Sequence, residues 1–265
     1  MSTCPTFRQR PADRSTSSHA LSTDYRCRKG YIMETRESDF QVAGRLAHVE
    51  PLLGLDKKLR PGHAALLVID MQNDFIASAG LVGRSGRDIS AAQKLAEELP
   101  AFIAAARRAG VLVVFIRNVY STERNFYLSD CWLEQAARKQ SGGYTRFPVC
   151  AEGSWEGDYY GAVRPQPGDP VVTKHRYNAF LNTDLDTILR ANAIRTVVLT
   201  GVATDVCVGT TAREAFMRDY YAVMVDDGTA TFSPEDHAAT LRNFDRYFGE
   251  VSTIAEISAL WRGRN

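Results

Sequence analysis

From residue 63 onward the chain alternates short, almost wholly apolar runs with longer stretches whose apolar positions recur every three to four residues. HAALLVID (63–70), VLVVFIRN (111–118), DPVVTK (169–174), TVVLTG (196–201) and YAVMVDD (221–227) predict five buried strands, and a short sixth follows near Val251. LAEELPAFIAAARRAG (95–110), TDLDTILRAN (183–192), DVCVGTTAREAFMRD (205–219) and SPEDHAATLRNFDRYF (233–248) predict helices, and a last one starts at Thr253. Gly110 stops the first of these, Thr183 caps the second, and Ser233 followed by Pro234 opens the fourth. Residues 119–169 have mixed polarity and many turn residues, which predicts a long excursion from the layered core. Apolar strands alternating with helices imply a parallel sheet with helices on both faces, a three-layer α/β/α sandwich of Rossmann-like architecture. No Gly-x-Gly-x-x-Gly follows any strand, so dinucleotide binding lacks its usual sequence support, and no cofactor is expected.

Composition narrows the picture. The chain has 265 residues, 45% hydrophobic and 24% charged, with a net charge of +1. That suits one soluble α/β domain with a sizeable core. Balanced charge gives no electrostatic reason to expect nucleic acid or an anionic membrane as partner. No apolar run approaches the roughly 18 residues that span a bilayer. The five cysteines, Cys4, Cys27, Cys131, Cys150 and Cys207, are odd in number and widely spaced. They form neither a disulfide framework nor a zinc motif, and free thiols point to the cytoplasm. Residues 1–45 read as a disordered tail ahead of a domain spanning 46–265. The first 32 are Arg- and Ser-rich, which fits a transit peptide, a dispensable tail or a start codon upstream of Met33.

In parallel sheets, ligands bind beyond the carboxyl ends of the strands. Three chemically able residues stand there: Asp70, Lys174 and Cys207. Asp70 closes an apolar strand, where a carboxylate is costly to bury without a partner. Lys174 would offset that cost. Cys207 stands near a helix start, where free amides and the helix dipole are expected to lower its pKa. Each residue has a bland reading: a turn-holding Asp, a solvated Lys, a packed free Cys. Together they supply an acid/base, an ammonium and a thiol, a set sufficient for attack on an acyl carbon.

LLVIDMQNDF (66–75), VVTKHRYNAFLNTDLDTILR (171–190) and LTGVATDVCVGTTAREAF (199–216) resemble, in order and spacing, the isochorismatase-like cysteine hydrolase superfamily. The resemblance covers about residues 60–260. It implies a six-stranded parallel sheet and a triad of Asp70, Lys174 and Cys207. It also implies a cis peptide between Val202 and Ala203 that aims the Ala203 and Cys207 amides at an oxyanion, with Asp205 capping the helix. Nicotinamidases in this family build a metal site after the second strand. FIRNVYSTER (115–124) has no histidine there, so no metal is expected. His175 and His237 are expected to be structural or exposed.

RNFYLSDCW and the later Gly-Ser-Trp and Pro-Gln-Pro-Gly-Asp stretches are similar to ureidoacrylate amidohydrolases, with biuret and carbamoyl-amino-acid hydrolases as neighbours. That implies a small ureido or amide substrate and release of ammonia through a thioester. Asn73, Asn125, Trp155, Arg176, Tyr177 and Phe180 are candidate pocket residues, Arg176 as a fork for a carboxylate. Residues 131–150 match no subgroup and are a candidate lid or interface. Two other readings remain: an isochorismatase-type vinyl ether hydrolase, which needs no cysteine, and a non-catalytic binding protein on the same fold. The resemblance further suggests a homodimer or homotetramer.

Overall fold

The computed structural model describes residues 50–139 and 148–263. The expected tail at 1–45, and the SGGY turn within 140–147, lie outside them. Six strands form one sheet in the order β3-β2-β1-β4-β5-β6, with every pair parallel. The strands are β1 (Ala64–Ile69), β2 (Leu112–Asn118), β3 (Val171–Lys174), β4 (Thr196–Val202), β5 (Tyr221–Ala230) and β6 (Glu250–Ser252); the short helix α1 (Leu55–Lys58) precedes β1, and α2 (Asn73–Ile76) and α3 (Leu81–Arg84) follow it. Because successive strand side chains point to opposite faces, β1 feeds two cores. Leu66 and Val68 meet α4 (Ser90–Arg108) and α9 (Ile254–Arg262) through Leu99, Phe102 and Trp261. Ala65, Leu67 and Ile69 meet α6 (Leu185–Ala191), α7 (Gly209–Met217) and α8 (Pro234–Tyr247) through Leu189, Ala212 and Phe244. All six β1 residues are buried. At about 1.5–3 kcal/mol for each fully buried large aliphatic, this strand anchors both layers.

The differences from the sequence reading have local causes. α4 begins at Ser90 rather than 95, because the Asp88 carboxylate accepts the Ser90 N–H at 2.9 Å and supplies a start. Pro100 sits inside it and removes one hydrogen bond without ending the helix. The helix expected over 205–219 is two pieces, a π-helical turn over Thr204–Val208 followed by α7. β5 runs to Ala230, three residues beyond the expected end, pairing Thr229 and Ala230 with Gly201 and Val202 across a register shift. The excursion holds α5 (Asp130–Lys139). Its later part is tied to the loop after β1: Asn73 N donates to Asp158 O, Asp74 N to Glu156 O, and Tyr160 N to Met71 O, all within 3.0 Å.

Gly201 explains how β1 and β4 come so close at their ends. Its φ is +108°, and a Cβ there would lie 2.0 Å from Ile69 O. Only glycine permits that approach. It brings the turn carrying Cys207 up to the end of β1.

Candidate active site

Asp70, Asn118, Lys174 and Cys207 lie at or just beyond the ends of β1, β2, β3 and β4 and meet at the carboxyl edge of the sheet. All four are buried. Asp70 follows the last residue of β1 in a left-handed conformation, φ +54°, held by its N–H to Ile116 O at 2.9 Å and by Gln72 N–H to its own carbonyl at 2.8 Å. Such backbone is tolerated by Asp better than by most residues and is concentrated at functional sites. Lys174 ends β3, in register with Asn118 at the end of β2.

The Lys174 ammonium lies 2.8 Å from Asp70 Oδ2, donates to Asn118 Oδ1 at 2.8 Å, and reaches Cys207 Sγ at 3.4 Å and Arg176 O at 3.1 Å. Asn118 Nδ2 donates to Asp70 Oδ2 at 2.8 Å and stands 3.9 Å from the sulfur. Gln72 locks Asn118 in place: its Oε1 accepts Asn118 N–H at 2.7 Å and its Nε2 donates to Asn118 O at 3.0 Å. Asp70 Oδ1 is buried and accepts no hydrogen bond from the described residues. A carboxylate oxygen left open in this way is unusual.

Burial pushes the Asp70 carboxyl above its usual range, with Lys174 pulling the other way. Burial alone would lower Lys174, but Asp70 and Cys207 outweigh it and the ammonium is held more firmly charged. Burial pushes the Cys207 thiol up to about 12, against the pull of Lys174 and with a further push from Asp70. The sequence expectation of a lowered thiol pKa is therefore corrected. The helix-start argument is local, whereas the desolvation comes from tertiary packing. The resting sulfur is a thiol that needs a base.

The Val202–Ala203 peptide is cis. Ala203 O accepts both Val206 N–H and Val208 N–H, at 3.0 and 3.1 Å, which fixes the π-helical turn. Asp205, expected as the cap, instead accepts the Thr231 hydroxyl. A cavity of about 590 Å³ opens over Asp70, Asn118, Ala203 and Cys207, walled by Phe75, Leu81, Tyr177 and Phe232. Asp74 holds the Leu81 wall and the residue after the lining residue Val149, its oxygens accepting Leu81 N–H at 2.9 Å and Cys150 N–H at 2.7 Å.

Of the six candidate pocket residues, the structure brings Tyr177 to the cavity lining. Asn73 donates to Trp155 O at 2.6 Å and holds the loop. Asn125 closes its own turn through both amide atoms on Leu128. Trp155 is half exposed, and Phe180 is buried in the core, stacked on Tyr220. Arg176 Nη1 donates to Tyr127 O at 2.8 Å and to His175 O at 2.6 Å, and the guanidinium lies over the Trp132 ring. Asn118 went unnoticed in the sequence although it ends a strand as Lys174 does. Arg87 and Gln135 also line the cavity, and nothing local in the sequence marks them. No group of three or more His, Cys, Asp or Glu side chains among the described residues is placed to hold a metal ion.

A six-stranded parallel sheet with a buried thiol, ammonium and carboxylate under one cavity is the architecture of a cysteine hydrolase. The comparisons agree and go further: residues 64–256 match the Isochorismatase domain family, and the chain belongs to it. A relative from Variovorax paradoxus (strain S110), named ureidoacrylate amidohydrolase RutB, is 38% identical over 218 residues, 78% of this chain and 83% of its own. A solved cysteine hydrolase from Pseudomonas syringae pv. phaseolicola 1448A superposes with a TM-score of 0.68 at 26% identity, covering 81% of this chain and 98% of that one. N-carbamoylsarcosine amidase from Thermoplasma acidophilum superposes at 0.56 with 30% identity, over 72% of this chain and 96% of its own. The protein is a hydrolase of this family, with Cys207, Lys174 and Asp70 positioned at its centre.

Proposed function

We propose that the protein is a cysteine-dependent amidohydrolase that cleaves the C–N bond of a small ureido or carbamoyl compound. The observation that carries the reading is the thiol 3.4 Å from a buried ammonium that is itself 2.8 Å from Asp70. The Variovorax paradoxus and Thermoplasma acidophilum relatives, named for ureidoacrylate and N-carbamoylsarcosine, support the same substrate class.

Asp70 Oδ1, free of other partners, takes the Cys207 proton. Its raised pKa makes it a stronger base than an exposed aspartate, and Lys174 holds the charges of both groups. The thiolate attacks the carbonyl carbon, forming an S–C bond, while the Ala203 and Cys207 amides receive the oxyanion. The C–N bond breaks, and Asp70 returns the proton to the leaving nitrogen. Water activated by Asp70 then cleaves the S-carbamoyl thioester, and the carbamic acid released falls to ammonia and carbon dioxide. Arg87 lines the cavity and forms no ion pair with a described residue, which suits a substrate bearing a carboxylate. The described cysteines are free, in keeping with a cytoplasmic setting.

The test is ammonia release from ureidoacrylate, biuret, N-carbamoyl amino acids and nicotinamide, with Cys207→Ala alongside. Release from a ureido or carbamoyl compound, absent in the variant, is expected. Release that persists in Cys207→Ala, or from none of the ureido and carbamoyl compounds, overturns the reading.

A further inference from the structure

The turn that carries Cys207 has a second tether outside the triad. Thr204 follows Ala203 directly, and its side chain is fully buried. Its Oγ1 lies 2.9 Å from His237 Nδ1, and His237 Nε2 lies 3.0 Å from Asp226 Oδ1. A carboxylate only accepts, so Nε2 is the donor to Asp226, and Nδ1 is the ring atom that meets the Thr204 hydroxyl. His237, which the sequence placed on a surface-like helix, is thus held at both nitrogens and only partly exposed.

The line joins three elements that have separate ties to the site. Asp226 belongs to β5, whose end pairs with Gly201 and Val202 just before the turn. His237 belongs to α8, and Ser233 and Asp236 at the start of that helix line the cavity. Thr204 opens the turn whose other end presents the sulfur. Inside the turn, Ala203 O is already shared by two N–H groups. That fixes the shape of the turn but not its aim. Among the described residues, the Thr204 hydroxyl makes its hydrogen bond only to His237. The tether therefore sets how the turn is rotated against β5 and α8.

We propose that Asp226, His237 and Thr204 form a positioning relay that aims the Cys207 turn at the cavity. The inference rests on the reading of Cys207 as nucleophile, but it has a readout of its own. Three features separate it from a mere brace. Its loss lowers kcat while leaving KM unchanged, because it acts on attack geometry and not on substrate contacts. A hydroxyl at 204 without the methyl suffices. The links act in series, so removing two costs no more than removing one.

The experiment uses the full-length protein and the variants His237→Ala, Thr204→Val, Thr204→Ser and the double variant Thr204→Val/His237→Ala. The exposed Asp226→Ala serves as the link least able to disturb folding. kcat and KM are measured on whichever ureido compound the wild type turns over. The rate of iodoacetamide labelling at Cys207, resolved from the other cysteines by peptide mass spectrometry, is measured without substrate. His237→Ala and Thr204→Val are expected to lower kcat on the order of 10- to 100-fold with KM within about twofold, the scale of small misplacements near a reacting atom. Thr204→Ser is expected to restore the rate, and the double variant to equal the worse single. Cys207 labelling is expected to change in step in the same variants. If no ureido compound is turned over, the function reading fails but the labelling pattern still decides the relay. Labelling and kcat that stay at wild-type values in Asp226→Ala and His237→Ala overturn the relay, and so do effects that multiply in the double variant.

Discussion

The two ends of the sheet each carry a cavity and an ion pair, and they differ in what surrounds the charges. At the carboxyl end, Lys174 and Asp70 are wholly buried beneath about 590 Å³, with a thiol and an amide in contact. At the amino end, Arg107 pairs with Asp169 beside a cavity of about 420 Å³ lined by Pro61, Gly110, Leu112 and Asn192. There both side chains keep some solvent, 23% and 14%, and no thiol, histidine or lysine joins the lining. An ion pair alone does not make a reactive site. Full desolvation raises the strength of each interaction and shifts pKa values, and a nucleophile must lie within reach of the shifted groups.

The sharpest way to break the comparison is at the sulfur. Cys207→Ala is expected to lower turnover on the order of 10⁴-fold or more, the scale seen when a nucleophile is removed, with the fold retained by circular dichroism and thermal melting. Next comes Lys174→Met, which strands the Asp70 carboxylate in a dry interior. It is expected to abolish activity and to cost about 3–5 kcal/mol in denaturant unfolding, and adding Asp70→Asn is expected to recover part of that stability. Asn118→Ala removes the amide that ties Asp70 to Lys174. Each stranded partner costs about 1–3 kcal/mol, so kcat is expected to fall by roughly 10- to 100-fold.

A subtler contrast lies in alkali. The Cys207 thiol ionises near 9 when unfolded and at about 12 when folded, so burial favours the protonated form. The stability this gives is fully present below pH 9 and is lost as pH rises toward 12. Lys174, also raised, adds to the loss at the upper end. The wild type is expected to melt progressively earlier above pH 9, and Cys207→Ala to show a shallower slope. Smallest of all, Arg107→Ala at the far end is expected to cost about 1 kcal/mol or less, as partly exposed pairs do, and to leave kcat unchanged.

The fold was legible because parallel strands buried on both faces leave unmistakable apolar runs, and the first three runs end at Asp70, Asn118 and Lys174, which meet beneath the cavity. Asp70 and Lys174 stood out as charges. Asn118 obeys the same rule but is neutral, and an amide ending a strand looks like turn chemistry. Apart from Tyr177, the cavity walls were not legible: Phe75, Val202 and Phe232 are distant in sequence and meet only when the sheet closes. Arg176 and Asn125 share one feature outside the cavity lining: nearby backbone carbonyls engage their donors. No sequence pattern shows which donors the backbone will claim. Cys207 sits where the sequence placed it, but its protonation depends on packing around β4 and α7 that a helix-start argument does not contain.

The four central groups sit at positions 70, 118, 174 and 207, one from each of four successive parts of the chain. No two of them are neighbours in sequence, and none is useful without the others. The four groups come together only when β1 to β4 have all found their register. Recovery of activity during refolding should lag the formation of helix and strand and coincide with the final closing of the sheet. A chain whose sheet forms but whose turn after β4 is not seated would keep the layers and lack the assembled site.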